Sequence, residues 1–333
     1  MGEGRRPLLP RGDIVSLYTR RGMHKGGRGV QRLPRVRMGG TVRPHVGRMV
    51  FPIGNLQCAR MVLVFLASSP FCRVSLLAAL VGCLSPALAA PPPAPRVAIF
   101  VGLPGDAGRS ERYLATVKTL REALIRHARV PAADVAVLFG EGKPSPYREC
   151  STQTIARELE ALRHKSRDRR PVWIFVLGHA NTVKDKVFLN VKGKDMEIRE
   201  FAGRLGRLPH YAPQVVVLTT AASGNCLAPL AATNRCVLVA TQPGAEDNET
   251  EFPHILANVL AAAPTHDANA DGKLSVIELM GGVRRGVKAW YAEQRLMPTE
   301  TPLVDADGDG KPATAGSEDE RRAELFALWL NTQ

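Results

Sequence analysis

Six residues carry side-chain or backbone oxygens at positions 1, 3, 5, 7, 9 and 12 of one twelve-residue stretch: Asp267, Asn269, Asp271, Lys273, Ser275 and Glu278. Lys273 would contribute its backbone carbonyl, and Glu278 can close the site with both carboxylate oxygens. Calcium takes about six to eight oxygen ligands, and this spacing wraps them around one point. The sequence therefore predicts a calcium site here, the alternative being an acidic turn that precedes a helix.

The stretch matches the calcium loop of EF-hands, which has a glycine at position 6 and an apolar residue at position 8. Gly272 and Leu274 hold those positions. Pro264 departs from a full EF-hand, because it would interrupt the incoming helix. An apolar face with helical spacing predicts the outgoing helix: Ile277, Met280, Val283, Val287 and Trp290. We predict a structural site, since a sensor would be expected to use paired hands.

A second acidic turn has carboxylates at positions 1, 3 and 5, namely Asp305, Asp307 and Asp309, and a glycine at position 6. No glutamate stands at position 12, although Glu318 or Asp319 can fold back to close the loop. Calcium binding and a solvated turn both fit this pattern. The sequence then predicts a final helix from about Ser317, in which Leu325, Leu328 and Leu330 are available for docking on the rest of the protein.

Two short apolar runs, 172–177 and 215–218, predict strands that are covered on both faces. The first is closed by Gly178 and His179, and the second by residues 219–224. In an open α/β sheet, chemistry takes place just beyond the carboxyl ends of such strands. His179 and Ser223 therefore become candidates for a site at that edge.

These two strand ends resemble the legumain branch of the caspase-like cysteine peptidases, over residues 96–263. That family ends one strand in Gly-His-Gly and the next in Glu-Ala-Cys-x-Ser-Gly. Gly178 and His179 match the first motif, and Ser223 and Gly224 match the second, but Ala221 stands at the position of the catalytic cysteine. The resemblance implies a caspase-like fold, a histidine base at position 179 and a missing nucleophile.

Two other side chains near Ala221 could serve as the nucleophile in place of the missing cysteine: Ser223 and Cys226. A cysteine nucleophile requires a thiolate next to an imidazole. Cys226 and Cys236 can equally be buried thiols or one disulfide in an oxidising compartment. A hydrolase that uses Ser223 or Cys226 with His179 is therefore the alternative to a pseudopeptidase.

Further alternating segments complete the predicted fold. The strands are at 97–101, 135–139 and 236–240, with a short strand pair or an edge element at 187–191. The helices are at 110–128, from Ser151 or Thr152, at 196–208 and up to Leu260. This order predicts an α/β fold of three layers, with a mostly parallel sheet and helices on both faces. Residues 264–333 would form a C-terminal, helical, EF-hand-like extension that packs on the 96–263 domain.

The basic charge is concentrated at the N-terminus. Residues 1–60 contain 13 Lys and Arg against Glu3 and Asp13, which predicts a disordered basic arm or a mis-assigned start. Residues 61–90 resemble a signal peptide, and 91–95 form a Pro-rich linker. Around Cys83 the sequence also resembles a lipobox, so membrane attachment would require lipidation there.

From Pro91 onward 31 Lys and Arg face 29 Asp and Glu, so the high pI gives no support for nucleic-acid binding. The sequence thus predicts an exported, periplasmic or extracellular, calcium-binding protein of caspase-like build. Its function would be binding or structural, with a peptide or protein segment held in the His179 cleft.

Overall fold

The computed structural model describes residues 93–143, 145–244, 246–314 and 316–331. The strands are β1 (Arg96–Val101), β2 (Val135–Phe139), β3 (Val172–Leu177), β4 (Ala180–Val183), β5 (Lys186–Leu189), β6 (Met196–Glu197), β7 (Gln214–Leu218), β8 (Arg235–Val239), β9 (Lys273–Ser275), β10 (Leu303–Asp305) and β11 (Ala327–Trp329). The helices are α1 (Ala107–Arg126), α2 (Thr152–Lys165), α3 (Ile198–Leu205), α4 (Leu227–Leu230), α5 (Phe252–Ala261), α6 (Ala263–His266), α7 (Val276–Gln294) and α8 (Glu318–Ala323).

A six-stranded sheet in the order β10-β8-β7-β3-β1-β2 forms the centre of the fold. Five of its strands are parallel, and β10 pairs antiparallel with β8 at one edge. Every residue of β1, β3 and β7 is buried, because helices cover both faces of the sheet. The predicted α/β fold with a mainly parallel sheet is confirmed.

The two faces of the sheet bury separate apolar clusters. Alternate residues of β1, such as Val97 and Ile99, pack with α1, α5 and α7, whereas Ala98 and Phe100 pack with α2, α3 and α4. Side chains of successive strand residues point to opposite faces, so each strand supplies both clusters. The result is the three-layer arrangement that the sequence predicts.

Two predicted helices begin at other residues than expected. The first starts at Ala107 rather than Ser110, because the Asp106 side chain accepts a hydrogen bond from the Arg109 N–H at 2.9 Å and caps the helix. The helix predicted over 196–208 is shorter and comprises only α3 (Ile198–Leu205). Its predicted first residue, Met196, instead pairs with Leu189 of β5 in a short strand. Ser151 caps α2 as predicted.

The C-terminal segment differs most from the prediction. Helix α8 ends at Ala323, and Leu328 lies in β11, where it pairs antiparallel with Leu274 of β9. Leu325 is 82% exposed and does not dock. Strand β10, which the sequence analysis missed, joins the central sheet, so residues after 263 contribute directly to the α/β core.

The described residues belong to one compact unit, Pro86–Gln333. The predicted basic arm 1–60, signal peptide 61–90, lipidation at Cys83 and the start of the 91–95 linker lie outside the described residues. Among the helices that the structure describes, none is long and apolar enough to cross a membrane.

Candidate functional site

The carboxyl ends of β3 and β7 are neighbours, because these strands pair in parallel with Val176 opposite Leu218. His179 follows β3, and its Nε2 lies 3.2 Å from the carbonyl oxygen of Pro104. A carbonyl oxygen only accepts, so Nε2 carries the proton in this contact and a neutral ring keeps Nδ1 as an acceptor. The histidine is thus held in one orientation at the strand end.

The residues after β7 are buried and carry no reactive group at the expected position. Ala221 is 6% exposed, and the next residue, Ala222, has a left-handed backbone with φ of 53°. The N–H of Ala222 donates to the carbonyl of Glu246 at 3.0 Å. A methyl side chain at 221 cannot attack a peptide carbonyl.

Ser223 is held in the interior of the protein. Its Oγ accepts hydrogen bonds from the N–H groups of Ala240 at 3.0 Å and Thr241 at 3.2 Å, and the residue is fully buried. These contacts join the end of β7 to the end of β8. The geometry therefore gives the Ser223 hydroxyl a structural role at this junction.

Cys226 lies at the end of a short 3-10 helix (Ser223–Cys226) and is fully buried. Burial raises the pKa of the Cys226 thiol well above its ordinary value, which opposes formation of the thiolate. Cys226 and Cys236 are both free thiols, so they form no disulfide in this structure. Burial likewise raises the pKa of Cys150 to about 12.

An acidic loop lies against the end of β7, a contact that the sequence analysis did not anticipate. The Glu249 carboxylate pairs with Nε of Arg109 at 3.0 Å and lies 4.0 Å from Nε2 of His179. The Thr250 hydroxyl donates to the carbonyl oxygen of Thr219. The local sequence shows only a run of acids, because the partners Arg109, His179 and Thr219 stand on other segments of the chain.

A cleft of about 760 Å³ opens beside this edge, next to the ends of β1 and β2. Pro104 and Asp106 line it on one side and Phe139 lines it on the other. Pro104 also contacts His179, so the histidine adjoins the cleft wall. The volume falls within the range of about 300–1,000 Å³ that is typical of ligand sites.

The predicted calcium loop is closed by its own side chains. The Asp267 carboxylate accepts from the N–H of Gly272 at 3.0 Å, where φ is +77°. Glu278 reaches back across the loop and accepts from the N–H of Ala268 at 2.9 Å. Asp267 and Glu278 therefore fold back across the loop, whereas the carboxylate of Asp271 pairs with Nζ of Lys273 at 3.2 Å.

Electrostatics at Glu278 reflect two opposing effects. Burial acts to raise the pKa of this carboxyl group, but the hydrogen bonds that it accepts from Ser275, Ala268 and Asn269 outweigh burial and lower the pKa. Glu278 also forms a capping box with Ser275 at the start of α7. The carboxylate is thus ionised and fixed in place at the junction of loop and helix.

The second acidic turn repeats this hydrogen-bond pattern. Asp305 accepts from the N–H of Gly310 at 3.0 Å, just as Asp267 accepts from Gly272. Asp319 accepts from the N–H groups of Ala306 and Asp307, just as Glu278 accepts from Ala268 and Asn269. The closing acid comes three residues later along the chain than in the first loop, and it again lies in the first turn of a serine-capped helix.

Within the described residues, one group of three metal-ligating side chains converges to within 4.8 Å: Asp305, Asp307 and Asp319. Burial raises the pKa of Asp305 to about 6 and also raises the pKa of Asp319. Three carboxylates this close repel one another when they are ionised, unless a cation neutralises them. The predicted residue Asp309 lies outside this group and accepts from the N–H of Lys311 at 2.7 Å.

The second turn is anchored on the α/β core by two glycines. A Cβ added to Gly308 would meet the carbonyl oxygen of Ala232 at 2.5 Å, and one added to Gly310 would meet the Ala228 Cα at 2.8 Å. Both glycines have φ of +80°, which favours glycine over other residues. The turn therefore lies directly against α4 and the segment between α4 and β8.

Comparison with known proteins gives a weak structural likeness. No protein-family model and no curated protein matches the chain. Among solved structures, the chain is similar to caspase-1 from Spodoptera frugiperda, with 12% sequence identity and a TM-score of 0.42. The match covers 68% of this chain and 94% of that chain.

Proposed function

We propose that the protein is an exported, calcium-binding protein of caspase-like build, a pseudopeptidase that binds a peptide or protein segment beside His179 and does not cleave it. The order of strands and helices and the Gly178-His179 and Ser223-Gly224 motifs support the caspase-like assignment. Export rests on the signal-like residues 61–90, and membrane attachment would require lipidation of Cys83.

One observation supports the proposal that the protein does not catalyse peptide cleavage. Ala221 occupies the nucleophile position after β7, and both neighbouring candidates, Ser223 and Cys226, are fully buried. The Ser223 oxygen is already engaged with two backbone N–H groups, and burial raises the pKa of the Cys226 thiol, which disfavours a thiolate. The alternative hydrolase would need one of these groups to reach a substrate near His179.

Binding of a segment at this edge is supported by the cleft next to Pro104. The cleft is large enough for several side chains of an extended peptide, and its wall carries both acidic and basic groups, Asp106, Glu111 and Lys143. Pull-down or fluorescence titration with a library of labelled peptides would test binding. Comparison of the wild type with a His179→Ala variant would separate binding from cleavage.

Calcium binding is supported by the matching hydrogen-bond patterns of the two acidic loops. In both loops the first aspartate and the closing acid accept hydrogen bonds from backbone N–H groups of the loop, and both loops lead into a capped helix that carries the closing acid. Asp267, Asn269, Asp271, Lys273, Ser275 and Glu278 would hold the first ion. Asp305, Asp307 and Asp319 would hold the second, with Asp309 nearby. Calcium would supply a structural crosslink in each loop.

The experiment that tests this proposal is a melting curve of the protein with calcium and with a chelator, joined to a peptide-cleavage assay on the same sample. We expect a clear rise in melting temperature with calcium and no peptide hydrolysis. No calcium response would remove the metal from the proposal, and His179-dependent hydrolysis would replace the pseudopeptidase with an enzyme.

A further inference from the structure

A second cavity lies at the opposite edge of the central sheet from His179. It has a volume of about 410 Å³ and opens below the amino ends of β3 and β7. Trp173 and Val215, the second residues of those strands, form its floor, and Pro171 and Pro213 precede them. Apart from Lys273, whose backbone carbonyl belongs to the first calcium loop, no residue proposed for calcium or peptide binding lines this cavity.

The walls of the cavity are largely apolar. Pro93 and Pro95 line one side before β1 begins, and Phe326 and Trp329 line the other side at β11. Apolar and aromatic walls with a few polar groups are typical of sites that bind small molecules, and the volume falls in the lower part of their usual range. The cavity therefore suits a compact apolar ligand.

Among the described residues, no group accepts a hydrogen bond from Nε of one cationic side chain in this apolar wall. Arg129 lines the cavity, and its Nε is buried without a hydrogen-bond partner. In the part of the chain that the structure describes, the Arg129 guanidinium makes no ion pair. A buried N–H of a charged group costs free energy unless a ligand or a water molecule accepts a hydrogen bond from it.

The backbone conformation at position 129 does not favour arginine. Its φ is +56°, in the left-handed region where glycine or asparagine would be less strained. Residues 127 and 128 separate Arg129 from the end of α1, and the N–H of Val130 donates to the carbonyl of Leu124 at 3.2 Å. Arginine is therefore present at this turn in spite of its backbone preference.

Two other charged groups line the cavity. Lys273 is paired with Asp271 at 3.2 Å, and its ammonium group lies 4.8 Å from the centre of the Trp329 ring. Glu324 is exposed, so solvent screens its charge. Of the three charges that line the cavity, Arg129 is thus the one left to attract a ligand, and its charge calls for an anion.

We infer that this cavity binds a small apolar carboxylate of the fatty-acid type, with its carboxylate on Arg129 and its hydrocarbon body against Trp173, Val215 and Phe326. A guanidinium matches the two oxygens of a carboxylate in a bidentate pair. The apolar walls match the hydrocarbon body through burial of apolar surface. The inference is independent of the proposed function, since it uses neither His179 nor the calcium loops as ligands.

The test is a titration of the full chain with decanoate in the presence of a chelator, followed by tryptophan fluorescence, because Trp173 and Trp329 line the cavity. The neutral analogue 1-decanol and the cationic analogue decylamine are titrated in parallel. We expect saturable binding of decanoate that is at least tenfold tighter than binding of either analogue. Equal binding of decanoate and decanol, or no binding, would overturn the inference.

Three variants sharpen this test. Arg129→Asn suits the left-handed backbone and removes the charge, so decanoate affinity should fall at least tenfold while the melting temperature holds or rises. Arg126→Gln removes a nearby exposed charge outside the cavity and should bind like the wild type. Ala327→Phe would fill the cavity and should abolish binding of all three probes.

An Arg129→Asn variant that folds and binds decanoate like the wild type would overturn the inference. If the chain before Pro93 or a second copy of the protein occupied the cavity, decanoate would fail to bind the full chain, which would also overturn it. A missing calcium response with intact decanoate binding would leave this inference standing and contradict the proposed function alone.

Discussion

The carboxylate of Asp319 accepts a hydrogen bond from the backbone N–H of Asp307 at a distance of 2.9 Å. This contact brings the first turn of α8 back onto the turn that begins at Asp305, and it closes a ring of three carboxylates. Glu278 closes the first loop in the same way by accepting from the N–H of Asn269 at 3.4 Å. Two loops with different spacing of their closing acid thus share one pattern of backbone hydrogen bonds.

Asp319→Ala should lower the free energy of unfolding even in a chelator. The substitution leaves the buried N–H of Ala306 and the N–H of Asp307 without an acceptor, which costs about 1–3 kcal/mol. Asp319→Asn keeps an oxygen acceptor, so it should recover part of that stability while still reducing the response to calcium. Denaturant unfolding with chelator and with calcium measures both effects. Equal calcium responses of wild type and Asp319→Asn would contradict a metal role for this residue.

Asp271→Ala should remove most of the calcium-induced rise in stability that comes from the first loop. A ligand that binds only the folded state stabilises it by about 2.7 kcal/mol at one-hundredfold saturation. Glu122→Ala, which removes an exposed carboxylate from α1, is the matched control and should keep the full response. Calorimetric melting of the three proteins with calcium and with chelator measures the difference. A full response in Asp271→Ala would contradict the assignment of this loop.

Ser223→Ala should destabilise the fold by about 1–3 kcal/mol, because the buried N–H groups of Ala240 and Thr241 lose their acceptor. The expected loss appears in denaturant unfolding. Any peptide binding near His179 should be unchanged at a temperature where the variant remains folded. A variant with normal stability and altered reactivity toward substrates would instead indicate that Ser223 takes part in chemistry.

Stability should depend on pH through Glu300, which is buried and accepts from the N–H groups of Glu251 and Phe252 at the start of α5. Burial raises the pKa of Glu300 from 4.5 to about 7. Since the folded-state pKa lies above the unfolded-state value, the folded state binds the proton more tightly. The stability that this group contributes is fully present below about pH 4.5 and is lost as the pH rises through 7.

Glu300→Gln removes this dependence, because the amide stays neutral. Relative to wild type, the variant should gain about 2–3 kcal/mol of unfolding free energy between pH 5 and pH 8. Glu293→Gln, an exposed substitution near the end of α7, serves as the control and should follow the wild type. Urea unfolding across this pH range tests the sign of the pH dependence. A difference in unfolding free energy between wild type and Glu300→Gln that stays constant with pH would refute the prediction.

The wild-type protein should not hydrolyse peptides, and His179→Ala and Cys226→Ser should leave this background unchanged. The reason is that Ala221 offers no nucleophile and Cys226 is fully buried. A fluorogenic peptide library provides the measurement. The Ala221→Cys variant tests whether the nucleophile is the only missing catalytic group. We expect this variant to hydrolyse peptides, and we expect the additional substitution His179→Ala to abolish that hydrolysis. Hydrolysis by the wild type that disappears in His179→Ala would establish the alternative hydrolase.

The sequence by itself determined the elements whose signals are local. Uninterrupted apolar runs indicated β1, β3 and β7, and the helical stripes of α1 and α2 proved to be their buried faces. The twelve-residue acidic loop was recognisable because all of its oxygens stand within one short stretch. The alternation of strands and helices predicted a mostly parallel sheet, in which the structure makes β3 and β7 parallel neighbours.

Only the tertiary structure decided which distant residues meet. The contact of Glu249 with Arg109 and the cavity around Arg129 each join segments whose pairing leaves no periodic or spacing signal, and of the two acids predicted to close the second loop the structure selects Asp319. Strand β10 was missed because three residues carry too little pattern, and it forms because the edge of β8 offers unpaired backbone groups. Local propensity therefore determined the elements, whereas packing determined the sites.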